Sequence, residues 1–461
     1  MAVPSVDPYE RQLAPPPVSP PSAFLWCGLL LLLLALATGT GELIRASRSQ
    51  HSLSQQPLQE ALLLFLSGVT LLFAQSRYLF WRQAAGIVEP HPLTPNTHRL
   101  ADPAARILQR GDGATIAGLL VLAAVPRWLL QSERLQVVEA DALRFYQNGA
   151  LYALTQQSGY TNHPLDAFLG SLCVLWGQAL NTDASAFPML LRLPAFLLGC
   201  LSVPMLYLTA RAAFGRSVGA TAALLMAFLP SGIALSTQAR GYSALIFFTI
   251  AQGFFLYRAL HLTSAEAWTG WLVCSVLGAM AHLSFLPVFV SSVAFVLLRA
   301  LWYRAYLNNP ARSAALVEQA GIVCLAGLLL IGTVYLPTGA ETFAFLSSRA
   351  GPPCVRCVAE TAVSTLRFWI GLTHVPLTAP ILLCCALLLL AAMWYLIQQA
   401  SAGAIYLIAM IIVPFLFTPV MPSLLRQPEA LSAGFPFFLI MLACGAMQCV
   451  QSVLGTGRRH L

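Results

Sequence analysis

Residues 192–211 read RLPAFLLGCLSVPMLYLTAR, an apolar run with one arginine at each end and no other charged residue. A helix needs about 20 such residues to cross the ~30 Å hydrocarbon layer of a bilayer. Inside that layer every backbone amide must be hydrogen bonded, which only helices and closed barrels achieve. The run is continuous, whereas the strands of a barrel alternate apolar and polar residues over about ten positions. This stretch therefore predicts a transmembrane helix.

Composition extends this prediction to the rest of the chain. Of its 461 residues, 58% are hydrophobic and 9% are charged, against roughly 25% charged in a typical soluble protein. Comparable apolar runs recur, and together they predict an all-α integral membrane protein with about twelve transmembrane helices. The predicted spans are 23–39, 59–74, 114–130, 192–210, 217–233, 242–258, 268–283, 284–299, 319–336, 379–397, 403–420 and 433–451.

The positions of the arginines predict the orientation. Cytoplasmic loops of membrane proteins are enriched in basic residues, and every basic residue here is Arg. The side of the membrane on which most of these arginines lie depends on a further apolar stretch, 165–180. If it lies along the membrane surface, eight arginines are cytoplasmic, and if it spans, all eight are external. The first arrangement fits the rule better, and the eight are Arg211, Arg216, Arg258, Arg299, Arg304, Arg312, Arg458 and Arg459.

This orientation predicts four external loops, of which the first and third are long: 131–191, 234–241, 337–378 and 421–432. Long loops in compact proteins are more often functional than idle. The chain is accordingly divided into a disordered tail (1–22), two extra membrane helices with a cytoplasmic linker (23–113), a functional membrane core (114–300) and C-terminal membrane helices (301–461). The net charge of +8 does not indicate nucleic acid as a partner.

Two carboxylates follow the third predicted membrane helix in the sequence VVEADALRFYQN, where Glu139 and Asp141 are two residues apart. A carboxylate in this position can deprotonate an acceptor hydroxyl, or hold a divalent cation against a phosphate. The alternative is that acidic residues at a membrane edge simply face water. The spacing does not decide between these interpretations.

Two further motifs place polar residues on the same predicted face. His163 precedes a proline in NHPLD, which is typical of a helix start. In STQARGYS (236–243), Arg240 and Tyr242 lie between two predicted spans. An arginine this close to hydrocarbon is costly unless a partner or the headgroup layer compensates it. A lipid-linked phosphate is one such partner, and ordinary lipid headgroups are the other.

Five more residues extend or qualify this pattern. His282 ends another predicted span, and Arg426 lies in the last external turn, where Glu429 offers it a local ion pair. In the third loop, Cys354 and Cys357 form a C-x-x-C pair. A lone pair of this kind is weak evidence for zinc, so a disulfide outside the cytoplasm and an unreactive pair both stay open.

The order of these motifs resembles the GT-C superfamily of polyprenyl-phosphate-sugar-dependent glycosyltransferases. An acidic motif follows an early membrane helix, and then come His-Pro-Leu at 163–165, Arg-Leu-Pro at 192–194 and Gln-Ala-Arg-Gly-Tyr-Ser at 238–243. The branch it resembles most is glycosyltransferase family 39, with the protein O-mannosyltransferases and lipid A aminoarabinose transferases. The resemblance covers about residues 114–300, and 301–451 mainly by hydropathy.

The resemblance implies a membrane fold of many helices whose first external loop contains interfacial helices. It implies transfer of a sugar, with inversion, from a polyprenyl phosphate to a glycan, lipid or protein acceptor. No nucleotide sugar and no cofactor are required; a divalent metal at Glu139 and Asp141 is compatible with the sequence, but the spacing does not demand one. The compact loops and Lys-free composition favour the bacterial inner membrane, with the active site on the external, periplasmic face and membrane lipids around the helices.

Residue by residue, the resemblance implies that Glu139 or Asp141 is the base. Arg240 is the implied ligand of the donor phosphate, with Arg426 as a second candidate. The implied contacts to other parts of the substrates are His163 and Tyr242.

The sequence departs from the family at three points, because Ala140 separates the two acids, the second proline of His-Pro-Pro-Leu is missing, and the family's Glu between Gln238 and Ala239 is absent. A non-catalytic membrane scaffold of a polysaccharide assembly system therefore stays open. So does a transporter or flippase for a lipid-linked substrate.

Overall fold

The computed structural model describes residues 111–131, 137–146, 163–180, 187–262, 265–335, 355–371, 379–398, 402–416 and 428–453. Within these ranges all regular structure is helical and no strand is present, which confirms the all-α class. The predicted tail 1–22, the first two predicted spans and Arg426 lie outside the described residues, as does Cys354.

Fourteen α-helices and two 3-10 turns are found in the described residues. In chain order the helices are α1 Asp112–Leu129, α2 Val137–Tyr146, α3 Pro164–Ala179, α4 Phe187–Phe214, α5 Arg216–Phe228, α6 Pro230–Ser236, α7 Tyr242–Leu262, α8 Ala265–Ala281, α9 Leu286–Ala305, α10 Pro310–Tyr335, α11 Val355–Ile370, α12 Ala379–Gln398, α13 Ala402–Leu416 and α14 Phe435–Val453. The 3-10 turns, Leu283–Phe285 and Pro428–Gly434, precede α9 and α14.

The chain is an integral membrane protein. Among the described residues, six helical segments are long and apolar enough to cross a bilayer, and a bent pair formed by α5 and α6 would make a seventh. Helices also occupy the other predicted spans from residue 268 onward, although α12 and α13 contribute only shorter apolar segments to the described part. The total of twelve spans stays a prediction.

Helix α4 is the centre of this bundle. It packs against α1, α3, α5 and α7, and α7 in turn packs against α8. At the C-terminal end of α4, Arg211 forms an ion pair with the buried Asp112 at the start of α1, and the Tyr207 hydroxyl donates to the same carboxylate at 2.8 Å. Helices α1 and α4 therefore run antiparallel, and the N-terminal end of α4 lies at the opposite end of the bundle.

The end of the bundle that contains Asp112 also holds further arginines, among them Arg216, Arg299, Arg304 and Arg312. Arg216 lies 3.9 Å from Asp112, and Arg312 of α10 donates to the carbonyl of Leu260 at the end of α7 at 3.3 Å. Arg299 and Arg304 are in the C-terminal half of α9, which runs the same way as α4 and α7. The structure thus places these residues at one end, as the orientation without a crossing at 165–180 requires.

Helix α3, in the segment predicted to be the first external loop, is the element on which that orientation depends. Its 16 residues extend about 24 Å at 1.5 Å per residue, and it is not among the candidate spans. One face packs on α2, α4 and α8. The other exposes an apolar stripe of Leu172, Trp176 and Leu180, which is the arrangement of an interfacial helix with its tryptophan near the headgroups.

The predicted span 217–233 is not one straight helix. Helix α5 ends at Phe228, α6 starts at Pro230, and the two are bent by 63°. Proline has no amide proton to continue the helix and disfavours helical backbone in the residue before it. Leu229 is accordingly extended, with φ −65° and ψ 131°.

The bend exposes backbone carbonyls inside the protein, and Arg127 satisfies them. Its side chain is fully buried and donates to the carbonyls of Met226 (3.2 Å), Ala227 (3.2 Å) and Gly232 (3.4 Å), and to Ala123 in its own helix at 3.0 Å. One guanidinium therefore caps α5, reaches α6 and joins both to α1.

Replacing this guanidinium should loosen the junction of α1, α5 and α6. We expect Arg127→Met to lower the stability of the protein by about 2–4 kcal/mol, because buried carbonyls lose a charged hydrogen-bond donor. Thermal unfolding in detergent micelles measures the effect. Arg304→Met, which removes an exposed arginine, is the matched control, and equal unfolding midpoints for the two variants would contradict this role.

Candidate active site

A buried carboxylate joins the first external loop to the membrane helices. Glu139 of α2 forms a bidentate ion pair with Arg192 near the start of α4, with Nε of Arg192 donating to Oε1 at 3.0 Å. The same Oε1 accepts the backbone amide of Ala239 at 2.9 Å. Both charged side chains are almost completely buried. Three segments of the chain therefore meet at one carboxylate.

The second acid of the motif, Asp141, is exposed. Because an α-helix turns about 100° per residue, residues two apart on α2 point to opposite sides. One face buries Glu139 at 0% exposure, and the other presents Asp141 to the outside. The helix thus gives two acids that are two residues apart in sequence two different environments.

The segment held by Glu139 leads directly into the predicted phosphate-binding motif. Arg240 follows Ala239, and its backbone amide donates to the carbonyl of Gln238 at 2.9 Å. Tyr242 begins α7 and is 4% exposed. Gly241 between them packs so closely against the carbonyl of Ala281 that a Cβ at this position would overlap it. This close approach brings the end of α8 against the motif.

Three aromatic rings from three elements meet beside Arg240. His163, just before α3, stacks on His282 with ring centroids 4.6 Å apart, and Tyr242 lies 5.1 Å from His282 and 5.9 Å from His163. The structure therefore brings together His163 and Tyr242, both predicted from the sequence, and adds His282. The predicted motif residues Glu139, Arg240, His163 and Tyr242 converge at this end of the bundle, and their chemical roles stay predictions.

The last external turn also reaches this region. The 3-10 turn Pro428–Gly434 packs against α7 and against the turn Leu283–Phe285. Its Glu429 is, with Arg240, a charged group that acts electrostatically on Tyr242. Whether Arg426 joins them lies outside the described residues, so its assignment stays a prediction.

The sequence places His282 and Glu429 near this pattern and Arg192 in a family motif, but it assigns a role in the site to none of the three. An anionic partner for Arg192 can be expected from the sequence, because an arginine at the start of a membrane helix needs one. No pattern in the sequence pairs it with Glu139, since the two residues are separated by a loop and a surface helix.

A second carboxylate, Asp166 of α3, is buried behind this cluster. The hydroxyl of Tyr146 donates to its Oδ2 at 3.4 Å. Burial raises the pKa of Asp166 to about 7; the hydrogen bond from Tyr146 lowers it and the negative charge of Glu139 raises it. Near neutral pH this carboxyl is therefore partly protonated.

The sequence also allows a divalent metal at Glu139 and Asp141, and such a site has a geometric requirement. A divalent cation shared by Glu139 and Asp141 needs both carboxylates on one side, and α2 places them about 200° apart. In the described residues, no group of three or more His, Cys, Asp or Glu side chains has the arrangement of a metal site. A metal at this position would therefore have one of the two acids as its ligand, and the prediction stays untested.

Residues 171–335 match the protein family described as dolichyl-phosphate-mannose-protein mannosyltransferase. This range extends from α3 to the end of α10, and it includes Arg192, Arg240, Tyr242 and His282. The match confirms the resemblance to GT-C glycosyltransferases. No curated protein matches the chain significantly.

Two solved structures of Archaeoglobus fulgidus oligosaccharyltransferase show limited similarity to this chain. The apo Archaeoglobus fulgidus enzyme is 13% identical with a TM-score of 0.48, over 74% of this chain and 51% of that one. The Archaeoglobus fulgidus oligosaccharyltransferase AglB in complex with an inhibitory peptide and a dolichol-phosphate is also 13% identical, with a TM-score of 0.49, over 76% of this chain and 52% of that one. The present chain thus spans about half the length of these proteins.

The pair of Glu139 and Arg192 should be energetically coupled. Removing one partner leaves the other charge buried without its counterion, which typically costs about 3–5 kcal/mol. We expect Glu139→Ala and Arg192→Leu each to be strongly destabilised, and the double variant to lose clearly less than the sum. Thermal unfolding of the four proteins measures this coupling, and additive losses would show that the ion pair is not a structural unit.

Asp166 should make stability depend on pH. Its unfolded pKa is about 3.9 and its folded pKa about 7, so between these values the native protein keeps a proton that the unfolded chain releases. The stabilising contribution is full below pH 4 and is lost as pH rises through 7. Relative to Asp166→Asn, the wild type should lose stability by at most about 1.4 kcal/mol per pH unit in this window.

Unfolding midpoints from pH 4 to 8 test this dependence. Glu318→Gln, which changes an exposed acid of α10, is the control and should follow the wild-type profile. Parallel profiles for wild type and Asp166→Asn would show that Asp166 does not titrate in this range.

Proposed function

We propose that this chain is a membrane glycosyltransferase that transfers a sugar from a polyprenyl-phosphate-linked donor to an acceptor on the non-cytoplasmic side. The description of the matching family names a lipid-phosphate sugar as donor and a protein as acceptor. The matched range includes Arg240 and Tyr242 of the present site, whereas the acidic motif and His163 precede it. A protein, a glycan and a lipid are all candidate acceptors. We place the protein in a bacterial inner membrane. The site would face the periplasm, because the arginine-rich end lies at the opposite end of the bundle.

One observation carries the proposal: the buried pair of Glu139 and Arg192 also binds the backbone of Ala239. This contact fixes the backbone of Ala239. It therefore fixes the position from which the side chain of the next residue, Arg240, extends. A guanidinium is well suited to phosphate because its planar fork matches the phosphate oxygens. Arg240 would compensate the negative charge that develops on the departing polyprenyl phosphate.

The geometry favours Asp141 over Glu139 as the base. A general base must be accessible to the acceptor that carries the proton. Both oxygens of Glu139 already accept hydrogen bonds inside the protein, whereas Asp141 is on the exposed face of the same helix. Asp141 would take the proton of the acceptor hydroxyl as its oxygen attacks the anomeric carbon, and the bond from that carbon to the phosphate oxygen breaks with its electrons on the phosphate.

The reaction in this form needs no cofactor, and a metal bound at Asp141 would act beside Arg240 on the phosphate. Glu139 is then a positioning residue, since it acts through the main chain of Ala239.

The bend between α5 and α6 bears on the transporter alternative. Broken helices near the bilayer midplane are a typical sign of transporters, because their free backbone groups bind the substrate. Here the free carbonyls at the bend accept hydrogen bonds from Arg127, and so they are occupied by the protein itself. The bend therefore does not favour transport over transfer.

Transfer of labelled sugar from polyprenyl-phosphate donors, in membranes that express each variant, tests the proposal. We expect Asp141→Asn to reduce transfer by about 10²-fold or more, the usual effect of losing a general base. Arg240→Met should reduce it similarly, because the leaving phosphate loses its counter-charge. Both variants should unfold near the wild-type temperature, since they leave the buried pair intact.

Glu318→Gln, an exposed acid far from the site, is the matched control and should retain activity. Unchanged transfer in Asp141→Asn would overturn the assignment of the base. A wild type that moves labelled lipid between leaflets, but transfers no sugar to a broad acceptor panel, would support the transporter. Normal cell-envelope assembly in cells that carry Asp141→Asn and Arg240→Met would support the scaffold.

A further inference from the structure

His282 lies at the candidate site, at the end of a membrane helix, and has no role assigned to it by the motifs that suggested the function. It follows α8 directly and is the N-cap of the 3-10 turn Leu283–Phe285. Its side chain is 5% exposed, and its ring stacks on His163 and lies beside Tyr242.

The hydrogen bonding of His282 determines its tautomer. The backbone amide of Ser284 donates to its Nδ1 at 3.0 Å. A backbone amide can only donate, so Nδ1 carries a lone pair and no proton. The ring is then neutral with its proton on Nε2. His282 therefore presents an N–H donor on the side of the ring away from its own turn.

The position of this donor is fixed by packing. Leu165 of α3, Ala244 of α7 and Ala281 of α8 form a small buried cluster next to it. Gly241 permits the approach, since a Cβ there would overlap the carbonyl of Ala281 and lie 3.1 Å from Cγ of His163. Gly241, the residue that follows Arg240, thus lies directly against Ala281, the residue that precedes His282.

We propose that His282 binds the phosphate group of the polyprenyl-phosphate donor through its Nε2–H, beside Arg240. This inference rests on the proposed function and names a further residue of the same site. A neutral, fixed donor complements a guanidinium: it orients one phosphate oxygen without adding a second cation that would hold the product phosphate after transfer. His163 stacks on the face of the ring and helps to keep it in this orientation.

Two substitutions separate this role from a purely structural one. His282→Asn keeps an acceptor where Nδ1 lies, and asparagine is a preferred N-cap, so the turn is retained while the distal donor is lost. His282→Gln places an amide N–H near the position of Nε2 and loses the local acceptor. A structural role predicts that the Asn variant resembles wild type. Phosphate binding predicts instead that the Gln variant resembles wild type more closely than the Asn variant does.

Binding of a short-chain polyprenyl monophosphate to purified protein in nanodiscs is the measurement, with the corresponding polyprenol as the phosphate-free probe. We expect the wild type to prefer the phosphate. His282→Asn should weaken phosphate binding by about tenfold or more, as for a lost hydrogen bond to a charged group, and leave polyprenol binding unchanged. His282→Gln should recover part of the loss. His282→Asp, a second N-cap residue, should weaken phosphate binding further, since it adds a negative charge.

The outcomes distinguish this inference from the proposed function. A wild type that binds the phosphate no better than the alcohol overturns both. If the wild type prefers the phosphate while His282→Asn binds it equally well, the inference about His282 fails and the glycosyltransferase proposal stands. Equal weakening in the Asn and Gln variants also overturns the inference, because the effect would then not follow the Nε2 donor.

Discussion

The ion pair between Glu139 and Arg192 is the contact on which the candidate site depends. Two unit charges removed from water lose several kcal/mol of solvation each, and only a well-formed pair with further hydrogen bonds offsets this cost. Here the bidentate geometry and the amide of Ala239 use both carboxylate oxygens. The pair therefore fixes a surface helix, a membrane helix and the loop before Arg240 in one arrangement.

Helix α4 transmits this constraint through the membrane, because it carries a buried ion pair at each end. At one end Arg192 binds Glu139, and at the other Arg211 binds Asp112. An ionised side chain near hydrocarbon is tolerated only with a partner, so α4 cannot slide along its axis without breaking one of the two pairs. The site end and the arginine-rich end are thereby held at a fixed separation.

Hydropathy predicted most of the described helices, because a bilayer admits only long apolar helices and their lengths follow from its thickness. It did not predict the bend at Leu229. There Pro230 interrupts the helix, and the guanidinium of Arg127 from α1 binds the carbonyls that the bend exposes. The motifs placed Glu139, Arg240, His163 and Tyr242 at one end, as the structure does. Sequence could not assign the two acids, because that depends on which face of α2 packs inward.

The assignment of His282 was out of reach for a similar reason. Its place beside His163 follows from Gly241, where the absence of a side chain admits the carbonyl of Ala281. A glycine in a loop motif has many explanations from sequence alone. Only the packing of α7 against α8 shows that this one creates contact between two segments that are forty residues apart.

The departures from the family motifs are best judged by what the buried groups do. The motif lacks the family's Glu before Ala239, yet a carboxylate reaches this peptide from α2, so the loop has an acidic partner. Ala140 separates the two acids, and this spacing lets one carboxylate serve the core while the other faces outward. A buried ion pair by itself is no sign of function, since α4 has a second one between Arg211 and Asp112 at its other end. The pair of Glu139 and Arg192 differs because it also binds the backbone of Ala239, the residue before Arg240.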